Sequence, residues 1–136
     1  MTRDEPLKPI EQKLVDAAIQ ARTHSYSPYS KFAVGAALLT KSGKIMTGCN
    51  VENASYGLAI CAERTAICKS VSEGESEIVA IAVAAHPLAS PCGACRQFIA
   101  EFGGEIEVVC VDAESPEDFK KWRADELLPD RFEFKK

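Results

Sequence analysis

The spacing of apolar positions in the first half of the chain predicts a helix, a hairpin and a second helix. Apolar residues recur every three or four positions over residues 10–24, which predicts an amphipathic helix. Two apolar runs then flank Ser42 and Gly43, a pattern typical of a β-hairpin. A second helix is predicted to begin at Cys61 and to end near Gly74.

The second half of the chain continues this alternation. The run EIVAIAVAA is apolar throughout and rich in β-branched residues, which predicts a strand buried on both faces. A third helix is predicted from Cys92 to the glycine pair at 103–104, and the strand EIEVVCV follows it. The stretch SPEDF, from Ser115, indicates the start of a short helix. This order predicts an α/β layered domain with a mixed sheet.

Length and composition favour a single domain over residues 1–136. The chain has 136 residues, of which 46% are hydrophobic, and this is enough for one compact core. Residues 1–9 contain two prolines and are expected to form a loose N-terminal arm. No apolar run reaches the roughly 18 residues of a membrane-spanning helix, so no membrane partner is expected.

Charge and cysteine content narrow the possible functions. A net charge of −4 and a pI near 5.2 argue against a nucleic-acid partner, which usually requires a basic surface. The charged N-terminal stretch lacks the apolar segment of a secretory signal, so we expect a cytoplasmic protein. In that compartment, the six cysteines are expected to be metal ligands, catalytic groups or core residues.

Cys92 and Cys95 form a CxxC motif at the predicted start of the third helix. A helix N-terminus favours thiolate over thiol through its free N–H groups and its dipole. The motif alone also fits a structural clip or a redox pair, but a redox CxxC usually follows the first strand of a βαβ unit. Here it comes late and follows a separate cysteine at a helix start, so we interpret it as a pair of metal ligands.

Cys61 is the best candidate for a third ligand, because it also begins a predicted helix. Three thiolates leave one coordination position open, as in a catalytic zinc site. Glu63 would face this position, and Arg64 or Arg96 would donate to the sulfurs, although each also fits an ordinary place on a helix. The other cysteines are expected to be small buried residues; they are Cys49, Cys68 and Cys110.

Five segments spread over most of the chain share one family pattern. They are SPYSKFAVGAAL at 27–38, TGCNVENASYG at 47–57, CAERTAI at 61–67, SPCGACRQ at 90–97 and ELLPDRF at 126–132. In this order they resemble the zinc-dependent cytidine deaminases, in the short class that acts on free nucleosides. Cys61 stands where many relatives in the wider superfamily have histidine.

The resemblance implies hydrolysis of cytidine and 2′-deoxycytidine to uridine and 2′-deoxyuridine with release of ammonia, as in pyrimidine salvage. It also implies a three-layer α/β/α fold around a mixed five-stranded sheet, with one Zn²⁺ per subunit. A homotetramer with active sites at subunit interfaces is expected. The implied site has Cys61, Cys92 and Cys95 as zinc ligands, Glu63 as the catalytic residue, Arg64 next to the ligands, Asn50 and Glu52 at the ribose, Phe32 and Ala62 at the pyrimidine, and Phe132 reaching a neighbouring subunit's site.

Other interpretations stay open from the residues alone. Phe32 fits a plain core position, and Asn50 and Glu52 fit turn chemistry at a strand end. A structural zinc would need a fourth ligand, for which His86 and Cys49 are the candidates. A related aminopyrimidine, such as a nucleoside antibiotic or free cytosine, is an alternative substrate. A polynucleotide substrate is disfavoured by the acidic charge.

Overall fold

A computed structural model describes residues 5–134 of the chain. The helices are α1 (Pro9–Arg22), α2 (Ala62–Ser72), α3 (Gly93–Ala100) and α4 (Ala124–Leu127), and a 3₁₀ turn covers Tyr56–Leu58. The strands are β1 (Val34–Thr40), β2 (Ile45–Cys49), β3 (Ile78–Ala85), β4 (Glu107–Asp112) and β5 (Ser115–Arg123). None of the described helices is both long and apolar enough to cross a bilayer.

The strands form one mixed sheet in the order β2-β1-β3-β4-β5. β3 and β4 run parallel, with Val83 opposite Cys110, and the other three pairs are antiparallel. The β1–β2 hairpin turns at Gly43, whose φ of 93° suits glycine. The predicted mixed five-stranded sheet is confirmed. Helix α3 connects the parallel pair, so it begins at the carboxyl end of β3.

Helices cover both faces of the sheet, which makes three layers. Ile81 and Val83 of β3 enter the apolar cluster under α2 and α3. Ala82 and Ala84 of the same strand enter the cluster under α1. Because strand side chains alternate between faces, a strand buried on both faces is apolar throughout. The predicted α/β/α arrangement is confirmed.

Two glycines allow helices to approach the sheet very closely. A Cβ atom on Gly35 of β1 would lie 2.0 Å from the carbonyl oxygen of Ala18 in α1. A Cβ atom on Gly48 of β2 would lie 2.5 Å from the backbone nitrogen of Ala66 in α2. No side chain fits at either contact, so these glycines set how deeply the two helices pack.

The segment from Ser115 forms strand β5, so the predicted short helix at that place is wrong. β5 pairs with β4 along most of its length, with Trp122 opposite Val108 and Phe119 opposite Val111. The Ser-Pro signal is a local preference. Pairing with β4 satisfies backbone groups at Ser115 and over residues 119–123, and this tertiary interaction overrides the local preference.

The predicted helix boundaries differ from the observed ones by a few residues. α1 spans Pro9–Arg22 rather than 10–24, and α3 ends at Ala100, before Gly103. Residues 1–4 of the expected N-terminal arm lie outside the described residues. Residues 5–8 precede α1 without regular structure.

A buried ion pair joins the first helix to the last strand. Lys121 Nζ of β5 lies 2.9 Å from Glu11 Oε1 of α1, and both side chains are almost fully buried. The same oxygen accepts a hydrogen bond from the Lys8 backbone N–H at 2.8 Å. Buried charges are tolerated when they are paired and hydrogen-bonded in this way.

Candidate active site

Two of the predicted ligands occupy the N-cap positions of helices. Cys61 precedes α2 and Cys92 precedes α3, both with extended backbone geometry. Their carbonyl groups accept hydrogen bonds from the N–H groups of Thr65, at 3.1 Å, and Arg96, at 2.9 Å. Cys95 follows in the first turn of α3. All three thiols therefore lie near positive helix ends, which favour thiolates.

The three sulfur atoms are close enough to bind one metal ion. The Sγ atoms of Cys61, Cys92 and Cys95 all lie within 4.8 Å of one another, and those of Cys61 and Cys92 are 3.8 Å apart. Zn–S bonds of about 2.3 Å in a tetrahedral site separate the sulfurs by about 3.8 Å. The cluster therefore fits Zn²⁺ in both donor type and spacing. Within residues 5–134, no further cysteine, histidine or carboxylate joins it.

Neither candidate for a fourth ligand reaches this cluster. His86 Nδ1 lies 2.9 Å from Asp112 Oδ1 at the end of the β3–β4 pair. The Cys49 thiol donates to the carbonyl oxygen of His24, with the two atoms 3.4 Å apart. Three protein ligands and an open position are the arrangement of catalytic zinc sites.

Hydrogen bonds to Cys61 stabilise its negative charge. The Cys95 thiol is the main donor and the Arg64 guanidinium is a second one, and together they lower the pKa of Cys61 to about 5. Arg64 Nη2 lies 3.5 Å from Cys61 Sγ, next to the ligands as predicted. The pKa of Cys95 is raised, because its proton bonds the Cys61 sulfur. Once a metal ion has displaced the remaining thiol protons, the positive charge of Arg64 would offset part of the charge of the three thiolates.

Glu63 is a buried carboxyl group in the first turn of α2, next to the sulfur cluster. Its residue is only 4% exposed, and it lines a cavity. Burial is the main cause that raises the pKa of Glu63, and the negative charge on Cys61 adds to it. A carboxyl group with a raised pKa can both accept and release a proton near neutral pH, which suits general acid–base catalysis.

The cavity beside Glu63 has a volume of about 260 Å³. Typical ligand pockets measure roughly 300–1,000 Å³, so this one suits a small molecule. Its walls are mainly apolar, and Val34, Ile60 and Val83 contribute to them although their sequence pattern indicates only strand or loop positions. The predicted site residues that line it are Phe32, Asn50, Glu52, Cys61, Ala62, Glu63 and Cys92.

Asn50 and Glu52 lie at the cavity and also organise its rim. Asn50 Nδ2 donates to the carbonyl oxygen of Phe32 at 2.8 Å, and its Oδ1 accepts from the N–H of Val34 at 3.0 Å. Glu52 Oε1 accepts from the N–H groups of Tyr29, at 3.0 Å, and Ser30, at 3.1 Å. The Ser30 hydroxyl also donates to Glu52, and this bond holds the pKa of Glu52 below its ordinary value.

The two predicted aromatic site residues lie in different places. Phe32 is 36% exposed and lines the cavity, so it is not a plain core residue. Phe132 is 70% exposed, does not line the cavity of its own chain, and stacks on Phe134 with ring centroids 6.3 Å apart. The described chain therefore brings Phe32 to the site and leaves Phe132 on the surface.

The three cysteines predicted to be small buried residues have different environments in the structure. Cys110 is buried in the core as expected, whereas Cys68 is exposed on α2, so its predicted burial is wrong. Cys49 is only half-buried.

Arg96 neither contacts a sulfur atom nor behaves as a free surface cation. It donates three hydrogen bonds, to Pro91, Ser90 and Leu127. Sequence reasoning missed this role, because two acceptors lie in the irregular loop before α3 and the third, Leu127, is 31 residues away.

Three cysteine sulfurs at two helix starts, beside a buried carboxyl group on a mixed α/β/α sheet, form a site that suits zinc-dependent hydrolysis. Residues 8–112 match the family model described as "Cytidine and deoxycytidylate deaminase zinc-binding region". A probable cytidine deaminase of Dictyostelium discoideum is 56% identical over 103 residues, which are 74% of this chain and 69% of that protein. The cytidine deaminase of Halalkalibacterium halodurans is 50% identical over 89% of this chain and 92% of its own.

A solved structure supports the same assignment at the level of the fold. The crystal structure of cytidine deaminase from Burkholderia pseudomallei superposes with a TM-score of 0.84 at 48% identity, covering 89% of this chain and 98% of the other. The chain belongs to the cytidine deaminase family.

Proposed function

We propose that this chain hydrolyses cytidine and 2′-deoxycytidine to uridine and 2′-deoxyuridine and releases ammonia. The observation that carries the proposal is the buried Glu63 carboxyl group, which lines a small cavity beside three cysteine sulfurs. One Zn²⁺ per subunit would be held by Cys61, Cys92 and Cys95. The whole chain, residues 1–136, is proposed to act as one catalytic domain.

Glu63 carries the proton transfers in the proposed mechanism. When bound, Zn²⁺ supplies Lewis-acid chemistry that makes hydroxide available near neutral pH. Glu63 accepts a proton from the attacking water and donates it to N3 of the pyrimidine, which makes C4 more electrophilic. After the oxygen of water has bonded to C4, Glu63 accepts the proton of the new C4 hydroxyl group and donates it to the amino group, so that the C4–N bond breaks, ammonia leaves and the C4 carbonyl group forms. One carboxyl group serves both steps, so it must reach the water and the ring.

The charge of the cavity supports a free nucleoside as substrate rather than a nucleotide. Among the described residues, two carboxylates line the cavity, Glu52 and Glu63, and no lysine or arginine does. A phosphate group would meet negative charge without a cationic partner. Glu52 is proposed to accept a hydrogen bond from a ribose hydroxyl, because a carboxylate has lone pairs beyond those used by Tyr29 and Ser30.

Exposed aromatic and aliphatic residues support assembly into a homotetramer with sites at subunit interfaces. Near the cavity, Tyr56 is 74% exposed and Leu58 is 63% exposed, and Phe132 and Phe134 are exposed near the C-terminus. Apolar groups of this size are commonly covered by a partner. We propose that Phe132 enters the site of a neighbouring subunit, and that Phe32 and Ala62 contact the pyrimidine.

A role in cytoplasmic pyrimidine salvage follows from the proposed reaction. All six cysteines are free in the structure, which fits a reducing compartment. Neither a membrane nor a nucleic acid is required by the proposed chemistry.

The proposed reaction is tested by measuring ammonia release and zinc content on the same protein sample. Cytidine, 2′-deoxycytidine, free cytosine and cytidine 5′-monophosphate are compared. We expect about one zinc per chain and turnover of the two nucleosides only. Free cytosine lacks the 3′-hydroxyl group that both nucleosides carry, so it would leave the polar groups of the site unpaired. The phosphate of cytidine 5′-monophosphate would meet the carboxylates of the cavity without a cationic partner. Turnover of cytosine at the rate of cytidine would contradict the ribose contacts. Full zinc loading without turnover of any aminopyrimidine nucleoside, antibiotics included, would indicate a structural zinc instead.

A further inference from the structure

Arg96 makes three directional hydrogen bonds from the helix that carries the CxxC motif. Its Nε donates to the carbonyl oxygen of Pro91 at 2.8 Å, and its Nη2 donates to the Ser90 hydroxyl at 3.0 Å. Its Nη1 donates to the carbonyl oxygen of Leu127 at 3.0 Å. Each nitrogen of the guanidinium group therefore has its own acceptor. The planar guanidinium group of arginine allows this arrangement, whereas the compact ammonium group of lysine does not.

Two of these acceptors belong to the segment that forms one wall of the cavity. Ala89, Ser90 and Cys92 line the cavity, and Pro91 lies between Ser90 and Cys92 in the chain. In the described structure, the segment from residue 87 to residue 91 makes no backbone–backbone hydrogen bond. The Arg96 bonds are thus its main polar attachment to the rest of the fold, while Leu88 supplies an apolar contact with the core.

The third acceptor belongs to the C-terminal part of the chain. Leu127 is the last residue of α4, and the segment after it leads to Phe132. The next residue of α3, Gln97, donates from Nε2 to the carbonyl oxygen of Phe132 at 3.1 Å. Two adjacent side chains of one helix therefore hold both the cavity wall and the segment that presents the exposed aromatic ring.

We propose that Arg96 is a positioning residue that fixes the Ser90–Cys92 wall and couples it to the segment from Leu127 to Phe132. The proposal rests on the proposed function only in that the wall belongs to the substrate site. Arg96 touches neither a sulfur atom nor the reacting centre, and it acts through the backbone that delivers Cys92. Loosening this backbone changes the shape of the wall and the placement of one zinc ligand.

The first test measures the backbone itself and does not depend on activity. Amide hydrogen exchange is followed at the hydrogen-bonded amides that adjoin the two segments in the zinc-loaded protein, for wild type, Arg96→Lys and Arg96→Ala. They are the amide of residue 96, which donates to the Cys92 carbonyl oxygen at 2.9 Å, and that of Leu128, which donates to the Ala124 carbonyl oxygen at 3.1 Å. We expect exchange to rise roughly tenfold at both amides together, and to stay unchanged in α2 and β3. Arg123→Ala is the matched control, because Arg123 has the same charge and pairs at the surface with Asp125. A rise at only one of the two amides would overturn the coupling.

The second test separates positioning from general destabilisation. We expect Arg96→Lys to release zinc to a chelator about ten times faster than wild type, and to raise KM more than it lowers kcat. Ser90→Ala removes one acceptor and should show a smaller change of the same kind. In Arg96→Ala, methylguanidinium should restore part of the wild-type KM, whereas methylammonium should not, since only the former supplies the planar fork.

The results of these two tests decide the positioning role of Arg96 separately from the proposed deaminase activity. Unchanged exchange, zinc release and KM in a folded Arg96→Lys would overturn the role of Arg96 whether or not the chain deaminates cytidine. The role of Arg96 would also be overturned if Arg96→Lys and a variant destabilised at a distant site to the same Tm showed equal increases in zinc release and KM. If wild type shows no turnover, the exchange and zinc-release results still decide the role of Arg96. If Arg96→Ala does not fold, Arg96→Lys and Ser90→Ala decide it.

Discussion

At the scale of single residues, the environment of Glu63 differs from that of an ordinary helix-start carboxylate. A glutamate in the first turn of a helix is usually exposed and charged, whereas Glu63 is buried and has a raised pKa. Glu63→Gln keeps the size of the side chain and removes its proton transfer. We expect normal zinc content and a kcat lower by about 10²–10⁴-fold, measured by ammonia release. Near-normal turnover would remove Glu63 from the mechanism.

Single substitutions should also distinguish the cysteines proposed as zinc ligands from the other cysteines. We expect Cys92→Ala and Cys95→Ala to lose zinc and activity together, because each removes one of three ligands. Cys110→Ala should keep zinc and cost about 1 kcal/mol of unfolding free energy, and Cys68→Ala should change it by less than about 0.5 kcal/mol. Zinc analysis and thermal denaturation of the four variants check this. Zinc that persists in Cys92→Ala and is lost in Cys110→Ala would contradict the ligand set.

Residue types at helix starts allowed the site to be predicted before its geometry was known. Cys61, Cys92 and Cys95 stand where helices begin, and helix starts can be recognised from local sequence. Arg96 could not be interpreted in the same way, because its acceptors lie five, six and 31 residues away in sequence. A hydrogen bond to a distant carbonyl group leaves no periodic signal in the chain.

At the scale of elements, the parallel pair β3–β4 ends in a charged cluster with a pH-dependent contribution to stability. His86 Nδ1 lies 2.9 Å from Asp112 Oδ1, and His86 Nε2 lies 3.5 Å from Glu114 Oε1. The hydrogen bond with Asp112 is the main cause that raises the pKa of His86, and the positive charge of Arg22 opposes it. The same bond lowers the pKa of Asp112.

The pKa shifts of His86 and Asp112 determine how this cluster's contribution to the free energy of unfolding changes with pH. A raised His86 pKa adds stability that is complete below the pKa of the unfolded chain and is lost as the pH rises through the folded value. A lowered Asp112 pKa adds stability that disappears as acid protonates the carboxylate. His86→Gln should therefore be less stable than wild type in mildly acidic solution, with the difference closing towards alkaline pH. Urea denaturation across pH checks this, with His24→Gln as the control. A pH-independent difference would contradict the ion pair.

Helices and strands can be predicted correctly where the local sequence pattern alone determines them. β3 is apolar at successive positions, and the β1–β2 turn contains Gly43, so both were correctly placed. β5 was not predicted, because its strand structure depends on pairing with β4, and Ser115-Pro116 resembles a helix start. The rim formed by Asn50 and Glu52 likewise depends on contacts with residues about 20 positions away.

At the scale of the whole molecule, the Glu11–Lys121 pair connects residues 110 positions apart in sequence. Lys121→Met leaves a buried carboxylate without its partner, so we expect it to lose about 3–5 kcal/mol of unfolding free energy. The double variant Glu11→Leu with Lys121→Met should recover most of this loss, because no buried charge remains. Chemical denaturation of the three proteins measures the effect. A double variant no more stable than Lys121→Met would show that the loss arises from packing.

The proposed assembly predicts that catalysis combines residues of two subunits. Phe132→Ala should keep zinc and lower kcat/KM by about fivefold, since an aromatic contact is worth about 1 kcal/mol beyond its buried area. Glu63→Gln chains retain Phe132, and Phe132→Ala chains retain Glu63. Refolding the two together with zinc should produce more activity than the sum of the separate samples. Mixed oligomers, verified by mass, that show only additive activity would rule out a Phe132 contribution between subunits.

The three proposed ligand sulfurs come from the starts of two different helices, so we expect the lifetime of the protein in a cell to depend on its zinc supply. A metal ion that binds the folded chain and bridges α2 to α3 stabilises it in proportion to how fully the site is loaded. Chains made during zinc starvation lack this cross-link, so they open more often and are degraded sooner. The amount of the protein that accumulates would thus report zinc nutrition even when its gene is expressed at a constant rate.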